Sequence, residues 1–517
     1  MALPIHLKTP GVFIDEKNAF PNSVVAVETA VPAFIGYTEK AEFGSQSLQN
    51  KPVRIESLME FVKFYGEDCN TVYDIKDVKP TGSNLEADFS SGEQSYWLTV
   101  FQENGPNKFN LYTAMKLFYQ NGGGSCFIIS IGTFKDTGSD LPFSSTEPFM
   151  KGIDLLKKET EPTMLVIPDA VLLKPDDCYS LQTQMLAHCA EQQNRVAILD
   201  IYDGNKGLDD PNYDPIKEFR AKVTGTESLQ YGAAYYPWLH TTIVQAAEVD
   251  YRNVSDEGRK MLNSICNGFI ATWDVAKKQT IANYLSNLTT DLSTVTDEMT
   301  RTVSNALSVT IPAYKLVMDH ILKKKNLLPP AAAMAGIYTL VDSQRGVWKA
   351  PANVAVNSVI SPAVLINHEQ QEDLNAPLEG KAICAIRTFI GMGTMVWGAR
   401  TLDANSLDWR YMNVRRTMIM LEQSIKFAVK AYIFEPNVKN TWVSIEAMIT
   451  NFLTNLWKLG ALAGAVPTDA FSVSVGLGST MTANDILEGR MNIEVRVAIS
   501  HPAEFIVITF QQQQQKS

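Results

Sequence analysis

Apolar residues in the middle of the chain follow the spacing of alternating helices and strands. The predicted strands are residues 126–131, 164–167 and 196–201, and the predicted helices are residues 110–120 and 179–193. Continuously apolar strands that alternate with helices are typical of a parallel sheet covered on both faces. The pattern from residue 110 to residue 239 therefore predicts an α/β layer.

The chain around this layer is less regular. Residues 24–37 are rich in β-branched side chains but are broken by Pro32, which predicts two strands. Ser57, with an acidic residue three positions later, predicts a capped short helix. Residues 71–106 are polar with Pro, Gly and Ser, which favours an elaborated loop or an insertion. Residues 249–325 show only weak helical periodicity, so their structure is the hardest to predict.

The C-terminal part combines two amphipathic helices with two strands. Apolar residues at three- and four-residue steps predict helices over residues 414–432 and 442–459, the first ended by a proline and the second by a glycine. Alternating apolar and polar residues predict strands over residues 471–475 and 493–499. A capped short helix is expected between these strands.

Both ends of the chain carry short apolar runs, and such segments invite aggregation unless another strand pairs with them. One explanation is that each run adds an edge strand to its own domain. The other is that each run is donated to a neighbouring subunit. The residues are Val12, Phe13, Ile14 and Asp15 near the N-terminus, and Phe505, Ile506, Val507, Ile508, Thr509 and Phe510 near the C-terminus.

Composition excludes several classes of protein. Of the 517 residues, 45% are hydrophobic, which excludes disorder as the main state. The formal net charge is −11, whereas binding to phosphates needs an excess of Lys and Arg on at least one face, so we expect no nucleic-acid partner. Charged residues make up 20%, below the ~25% usual in soluble domains. Either the fold is large enough to need little surface, or part of the surface does not face water.

Signals for export and membrane insertion are also missing. The first ten residues contain no long apolar stretch, which predicts synthesis in the cytoplasm without a signal peptide. The longest nearly apolar stretch, residues 382–399, contains Arg387 and is too short to span a bilayer comfortably, so we expect no direct membrane insertion. The six cysteines have no close pairs, which is typical of reduced, buried thiols.

Signals for catalysis, cofactors or metals are weak. The glycines at 122–124 follow a helix instead of opening one, and neither a GxxxxGK[ST] nor a GxSxG motif occurs. Residues 368–372 miss a zinc-protease helix by one imidazole, so a solvated polar loop explains them better. Residues 210–215 have calcium-loop spacing with a proline where a glycine is needed. His188 and Cys189 point about 100° apart on a helix and cannot share a tetrahedral site unaided. We predict no catalytic residues, no cofactor and no metal site, and nothing here suggests an enzyme.

Nine motifs together resemble those of contractile tail sheath proteins, found in myophages and in phage-tail-like injection systems. They are TPGVFIDE (9–16), FIGYTEKA (34–41), NGGGSCFIISI (121–131), YGAAYYPWL (231–239), GVWKAPAN (346–353), WGARTLD (397–403), DWRYMNVRR (408–416), FEPN (434–437) and PAEFIVITF (502–510). The resemblance spans nearly the whole chain and is densest after residue 346. Residues 71–106 and 249–325 match no motif of the family.

The resemblance implies an α/β fold with an α+β sheath-type core, an inserted α/β domain and extended terminal β-arms. The implied division is listed by residue range: 1–23, N-terminal arm; 24–70, first part of the core; 71–325, outward insertion; 326–500, second part of the core; 501–517, C-terminal arm and Gln-rich tail. In this family the arms extend into neighbouring subunits and complete their sheets. The resemblance therefore assigns both apolar runs to inter-subunit strand addition.

The implied function is structural. Such subunits form stacked hexameric rings around an inner tube and contract to drive the tube through a target envelope. The implied partners are further copies of the chain, the inner tube protein, and baseplate and tail terminator or cap proteins. The implied location is a phage tail or a released extracellular injection particle.

A dense mixed-charge cluster lies in the part with the strongest resemblance. It comprises Arg400, Asp403, Asp408, Arg410, Arg415 and Arg416. One interpretation is a salt-bridge network within the domain, since such pairs are common and individually weak. The other is pairing between subunits that sets packing and contraction, which makes these residues candidate interface charges.

Two other functions remain as alternatives. One is another assembly component, such as a baseplate, tail-terminator or capsid protein, which predicts closed rings or shells without long tubes. The other is an α/β enzyme built on residues 110–239, which predicts a small oligomer with a ligand pocket.

Overall fold

The computed structural model describes residues 24–80, 86–102, 107–136, 142–225 and 227–508. The helices are α1 (Leu58–Tyr65), α2 (Leu111–Gln120), α3 (Glu147–Leu155), α4 (Pro175–Gln192), α5 (Pro215–Lys222), α6 (Asp256–Ile270), α7 (Val275–Asn287), α8 (Asp297–Thr310), α9 (Pro312–Lys325), α10 (Ala331–Arg345), α11 (His368–Asn375), α12 (Met412–Val429), α13 (Lys439–Lys458), α14 (Pro467–Ala470) and α15 (Ala483–Leu487). The strands are β1 (Pro32–Thr38), β2 (Glu42–Phe43), β3 (Gln46–Ser47), β4 (Val53–Ile55), β5 (Tyr73–Lys76), β6 (Phe89–Ser91), β7 (Gln94–Val100), β8 (Cys126–Thr133), β9 (Met164–Val166), β10 (Val196–Asp200), β11 (Gly232–Tyr236), β12 (Leu239–Thr241), β13 (Leu327–Leu328), β14 (Val354–Ala355), β15 (Val359–Pro362), β16 (Cys384–Phe389), β17 (Gly393–Val396), β18 (Phe471–Val475) and β19 (Ile493–Val497).

A nine-stranded, mostly parallel sheet forms the centre of the fold. Its order is β14–β17–β16–β11–β10–β9–β1–β8–β4. The strands from β16 to β8 in this order are parallel, and antiparallel strands close both edges. The middle strands are buried along nearly their whole length, because helices α2 and α10 and helices α3 and α4 pack against the sheet as two pairs. The predicted α/β fold is confirmed.

Strand β1 places the N-terminal segment in the interior of the central sheet. It lies between β8 and β9, with Ala33 opposite both Phe127 and Leu165. Strands from residues 24–70 and from residues 71–325, the expected first part of the core and the expected insertion, share this sheet. The reason is that β1 is apolar on both faces and can be buried only in the interior of a covered sheet.

The described chain forms two compact units. The larger unit comprises residues 28–416 together with 504–508, and the smaller unit comprises residues 24–27 and 417–503. In the smaller unit, the N–H of Val27 donates to the hydroxyl of Ser424 at 3.0 Å, so both ends of the sequence contribute to this unit. The boundary after residue 416 falls within α12. The five-part division by function stays a prediction.

The two segments that match no family motif fold together within the larger unit. Residues 71–106, expected as an elaborated loop or an insertion, contain the three-stranded sheet β5–β7–β6, and residues 249–325 contain helices α6 to α9. Buried side chains from both segments form one hydrophobic cluster, with Tyr73, Leu98, Leu262, Leu307 and Tyr314 among its members. The sequence did not predict these three strands, because such short strands show their alternation only once α6 and α9 cover one face. The other interpretation of residues 71–106, an insertion, stays a prediction. We call residues 71–101 and 244–322 the helical module.

Several local predictions are confirmed. The hydroxyl of Ser57 caps α1 by accepting from the N–H of Glu60, and the Thr482 capping box opens α15. The predicted helices of the C-terminal part correspond to α12 and α13, and the predicted strands to β18 and β19.

Two local predictions were wrong. Residues 24–37 contain one strand instead of two, because β1 begins at Pro32, where the missing N–H is tolerated, and residues 24–31 are not in a strand. Residues 368–375 form a helix instead of a polar loop, because Asn367 and Gln370 make a capping box.

Candidate functional site

The base of the C-terminal run is fixed in the larger unit by an ion pair between Arg400 and Glu504. Arg400 Nη2 lies 2.5 Å from Glu504 Oε2, and Arg400 Nε lies 3.1 Å from Oε1. The side-chain amide of Asn375 donates to Oε1 at 2.8 Å, and the hydroxyl of Tyr411 donates to Oε2 at 2.9 Å. The guanidinium also donates to the Asn375 carbonyl at 3.0 Å. Both carboxylate oxygens of Glu504 are thus held, and we call these four residues the arm anchor.

Backbone pairing positions the arm anchor. Arg400 and Tyr411 face each other in an antiparallel bridge, and the N–H of Thr401 donates to the carbonyl of Arg410 at 2.8 Å. Arg400 and Tyr411 lie on either side of the loop before α12. Because this bridge brings them together, both side chains donate to the carboxylate of Glu504. The main chain, not the flexible side chains, therefore sets the geometry.

Electrostatics favours the ionised form of Glu504. Partial burial by itself would raise its pKa, but the hydrogen bonds from Arg400 and Asn375 and the charge of Arg400 outweigh that effect, so the pKa lies below its ordinary value. The side chain of Arg400 is only 6% exposed. A buried guanidinium paired with an ionised carboxylate makes a charge-assisted contact at the point where the C-terminal run begins.

The residues after Glu504 expose their apolar side chains. Phe505, Ile506, Val507 and Ile508 are 75%, 78%, 89% and 70% exposed, and none of them lies in a strand. The remaining residues of the predicted strand addition, Thr509, Phe510, Val12, Phe13, Ile14 and Asp15, lie outside the described residues.

A two-stranded sheet with open edges lies in the smaller unit. β18 and β19 pair antiparallel, from Phe471 opposite Val497 to Val475 opposite Ile493, and α13 packs against β18. Among the described residues, no third strand joins this sheet. Its outer edges therefore carry backbone N–H and C=O groups that can pair with an added strand.

Arg416 forms a second buried ion pair in the larger unit. Its Nη2 lies 2.6 Å from Asp342 Oδ2, and the two side chains are only 3% and 5% exposed. The same nitrogen donates to the carbonyl of Thr29 at 2.9 Å, and the hydroxyl of Thr29 donates to Asp342 at 2.6 Å. The guanidinium also lies over the ring of Tyr338, at 4.6 Å. This network ties the segment before β1 to α10 and the start of α12.

The remaining candidate charges do not join one network. Arg415 is buried between aromatic rings, 4.3 Å from Trp409 and 4.8 Å from Tyr231. Arg410 donates to the carbonyl of Ser406. The other candidates are acids: Asp408 is exposed, and Asp403 is half-buried with a pKa that burial raises. Within the described part of the chain, neither acid forms an ion pair with a candidate arginine. Arg400, Arg415 and Arg416 thus have partners in their own chain, and their role between subunits stays a prediction.

Sequence reasoning missed Glu504, Asn375, Tyr411, Asp342 and Thr29. Glu504 had one detectable signal, since it is an acid directly before an otherwise apolar run. The partners of Arg416 had none, because Thr29 and Asp342 lie 387 and 74 positions away from it along the chain.

The weaker chemical candidates of the sequence lie apart from this site. His188 and Cys189 are buried on α4, and burial lowers the pKa of His188 to about 4. Asp214 caps α5, and His368 faces Glu372 on the surface of α11 at 3.1 Å. In the residues that the structure describes, no three or more His, Cys, Asp or Glu side chains are grouped so that they could hold a metal ion. No helix in this part of the chain has the length and apolar character needed to cross a membrane.

Comparison with known proteins gives consistent results. Residues 404–513 match the family of the phage tail sheath C-terminal domain. The tail sheath protein of Vibrio phage KVP40 is 26% identical over 163 residues, which are 31% of this chain and 24% of the phage protein. The chain therefore matches only about a quarter of that relative's length.

Solved structures match over nearly the whole chain. The sheath complex of the extracellular contractile injection system PVC, in its contracted state, is 25% identical with a TM-score of 0.60, and 99% of each chain is covered. The helical sheath of the anti-feeding prophage (AFP) in its contracted state is 26% identical with a TM-score of 0.58, covering 98% of this chain and 100% of that one. A chain of the AFP baseplate is 26% identical with a TM-score of 0.57 and the same coverage.

The larger unit combines a covered sheet with an anchored, exposed C-terminal run, and the smaller unit contains a two-stranded sheet. The chain is thus similar to contractile sheath subunits over nearly its whole length, and its C-terminal part matches the sheath family.

Proposed function

We propose that this chain polymerises as stacked hexameric rings around an inner tube and contracts to drive that tube through a target envelope. Neighbouring copies are linked by strand addition, in which the run from Phe505 to Phe510 of one copy pairs with the open β18–β19 sheet of another. The N-terminal run, Val12 to Asp15, forms a second link of the same kind.

The observation that carries the proposal is the exposure of residues 505–508 directly after the arm anchor. Four consecutive apolar side chains in water are unfavourable, at about 25 cal/mol for each Å² of apolar surface. Pairing with an open sheet edge buries these side chains and satisfies backbone groups at the same time. The β18–β19 sheet has only two strands among the described residues, so its edges offer backbone groups to an added strand.

The arm anchor suits such a link to a contracting assembly. Contraction is proposed as rigid-body movement of subunits about their interfaces, with the arms keeping neighbours connected. A tether works only if its base stays attached to its own subunit while the far end is held by the next. The contacts of Arg400, Asn375 and Tyr411 with Glu504 supply that attachment.

The role proposed here is structural, without catalysis. The proposed partners are further copies of the chain, the inner tube protein, and baseplate and terminator or cap proteins. We propose that the chain is incorporated in a phage tail or in a particle released from the producing cell, and the PVC match to an extracellular contractile injection system supports the latter.

Electron microscopy of the purified chain tests the proposal. The expected result is ribbed tubes or stacked rings. The alternative role as a baseplate component, suggested by the AFP baseplate match, predicts single closed rings.

Deleting residues 505–517 tests strand addition while leaving Glu504 and the arm anchor in place. The truncated chain is expected to keep its circular dichroism spectrum and to lose tube formation. In the full-length chain, Val507→Pro removes one backbone N–H and should weaken assembly. Val507→Ala, the matched control, keeps that N–H and should assemble better than the proline variant. Normal tubes from the truncated chain would refute strand addition at this end.

A further inference from the structure

The helical module carries a surface cleft that the proposed strand addition does not involve. The cleft has a volume of about 730 Å³, within the range of about 300–1,000 Å³ that is typical of ligand sites. It lies between the end of α6, helix α7 and helix α8. The lining side chains that the argument uses are Thr272, Trp273, Asp274, Thr280, Tyr284 and Thr310. All of them lie outside residues 404–513, which match the sheath family.

The aromatic rings of Trp273 and Tyr284 in the cleft are held in place by the hydrophobic cluster of the module. Trp273 and Tyr284 are half-buried and pack against the hydrophobic cluster of the module. Phe269 supports Trp273 from the side, with the ring centroids 6.2 Å apart in an edge-to-face arrangement. Firmly seated rings lose little conformational freedom when a ligand binds to them.

The polar ends of both rings are available. Neither the indole N–H of Trp273 nor the phenol hydroxyl of Tyr284 has a hydrogen-bond partner among the described side chains and backbone groups. Such rings offer an apolar face together with a polar edge. A ligand that matches them must carry both C–H surfaces and hydrogen-bonding groups.

Charged and hydroxyl groups complete the cleft. Asp274 accepts from the backbone N–H of Lys277 at 2.9 Å, and this bond and the nearby Lys277 ammonium lower its pKa, so the carboxylate is ionised. The Lys277 ammonium lies 3.7 Å from the other carboxylate oxygen, so the pair adds no net charge. Thr272 and Thr310 add neutral hydroxyl groups at the rim.

We propose that this cleft binds a neutral carbohydrate. A sugar ring stacks its C–H face on Trp273, and its hydroxyls bind to the Tyr284 hydroxyl, the indole N–H and the Asp274 carboxylate. Sugars combine an apolar ring face with a dense edge of hydroxyls, which is the combination that these side chains present.

The charges and polar groups argue against other ligands. A phosphate-rich ligand needs an excess of cations, whereas Asp274 cancels Lys277. A purely apolar segment would bury the free N–H of Trp273 and hydroxyl of Tyr284 without partners, which is costly.

Saturation-transfer difference NMR on the full-length chain tests the proposal, with maltohexaose, cellohexaose and chitohexaose as separate probes. Saturation is expected on the ring protons of at least one probe, and Trp273→Ala should weaken that binding by ~tenfold or more. Tyr284→Phe removes only the hydroxyl and should weaken it several-fold. Trp397→Ala, which removes a half-exposed indole outside the cleft, should leave it unchanged.

Two results would overturn the proposal. One is the absence of saturation transfer to all three oligosaccharides at millimolar concentration. The other is binding that neither cleft variant weakens. If Trp273→Ala misfolds, Trp273→Phe serves in its place, because it keeps a packed ring. The thermal unfolding midpoint of each variant shows whether it is folded. Tube formation by these variants is scored separately, so failure here leaves the sheath function untouched.

Discussion

The guanidinium of Arg400 holds both carboxylate oxygens of Glu504, 104 positions further along the chain. Glu504 is the last residue before the exposed apolar run, so this ion pair lies at the point where the apolar side chains of residues 505–508 become exposed. The arrangement makes the ion pair the first place to test how the C-terminal arm is held.

Glu504→Gln is expected to lower the free energy of unfolding by about 2 kcal/mol, since it leaves a buried guanidinium without its counter-charge. The amide keeps one acceptor, and the partial exposure of Glu504 reduces the cost below that of a fully buried pair. Urea denaturation measures the change. Glu494→Gln is the matched control, because it removes an exposed ion pair with Arg496 and should cost under ~0.5 kcal/mol. An equal loss of unfolding free energy in the two variants would show that the arm anchor stabilises the fold no more than an exposed ion pair does.

Asp200 is expected to make stability depend on pH. Its Oδ1 accepts from the N–H of Ala331 at 2.7 Å, but burial dominates and raises its pKa from 3.8 to about 7. The folded chain therefore binds a proton that the unfolded chain has released, so this group's contribution is present at acidic pH and is lost as the pH rises towards 7. The free energy of unfolding of the wild type, minus that of Asp200→Asn, should fall by up to ~1.4 kcal/mol per pH unit between about pH 5 and pH 7. A constant difference over this range would contradict the raised pKa.

Arg416→Ala is expected to lower the free energy of unfolding by about 3–5 kcal/mol, because it leaves the buried carboxylate of Asp342 without its counter-charge. Replacing Arg415 and Arg416 together should impair assembly or lock the sheath in its extended state. An unchanged distribution of sheath lengths in electron micrographs would disprove this.

Asp408→Asn separates an interface role from a folding role of the charge cluster. Asp408 is exposed, so its replacement should change stability by less than ~0.5 kcal/mol. If the cluster pairs between subunits, this variant should still shift the salt dependence of assembly, measured by light scattering. Unchanged assembly would leave intrachain stabilisation as the role of the cluster.

Gly36→Ala is expected to destabilise the central sheet by about 2 kcal/mol or more. An added Cβ would lie 2.6 Å from Asp169 Oδ2 and 3.2 Å from Leu111 Cβ. Asp169 cannot move away easily, because its carboxylate accepts from the N–H groups of Tyr37 and Asn110. Gly207→Ala, where no atom lies within 4 Å, is the control and should be close to neutral in thermal unfolding. Similar unfolding midpoints for the two variants would contradict the close packing at Gly36.

Local pattern predicted elements best where one face of each element is buried. The stripe on α12, the helix α13 and the alternation in β18 and β19 could be read directly, since their partners impose a period of 3.6 or 2. The short strands β5, β6 and β7 could not, because segments of three to seven residues separated by glycine and serine are too short to establish a period.

The candidate site was only partly predictable. The exposed apolar run and the arginine-rich segment were both visible in the sequence. Their partners were not, since Asp342 and Glu504 reach Arg416 and Arg400 only through the fold. The cluster of charged residues was consistent with pairing at the surface and with burial. Only the packing of each side chain showed which of them are buried.

The sequence by itself determined the α/β class, the main helices of the C-terminal part and the apolar C-terminal run, because periodicity and capping act over a few residues. Tertiary structure alone decided that β1 lies inside the central sheet and that the two unmatched segments share one hydrophobic cluster. It also decided that three of the candidate arginines are buried in their own chain. These features depend on contacts between residues far apart in sequence. Such contacts do not produce a periodic pattern of apolar residues in the segments that form them.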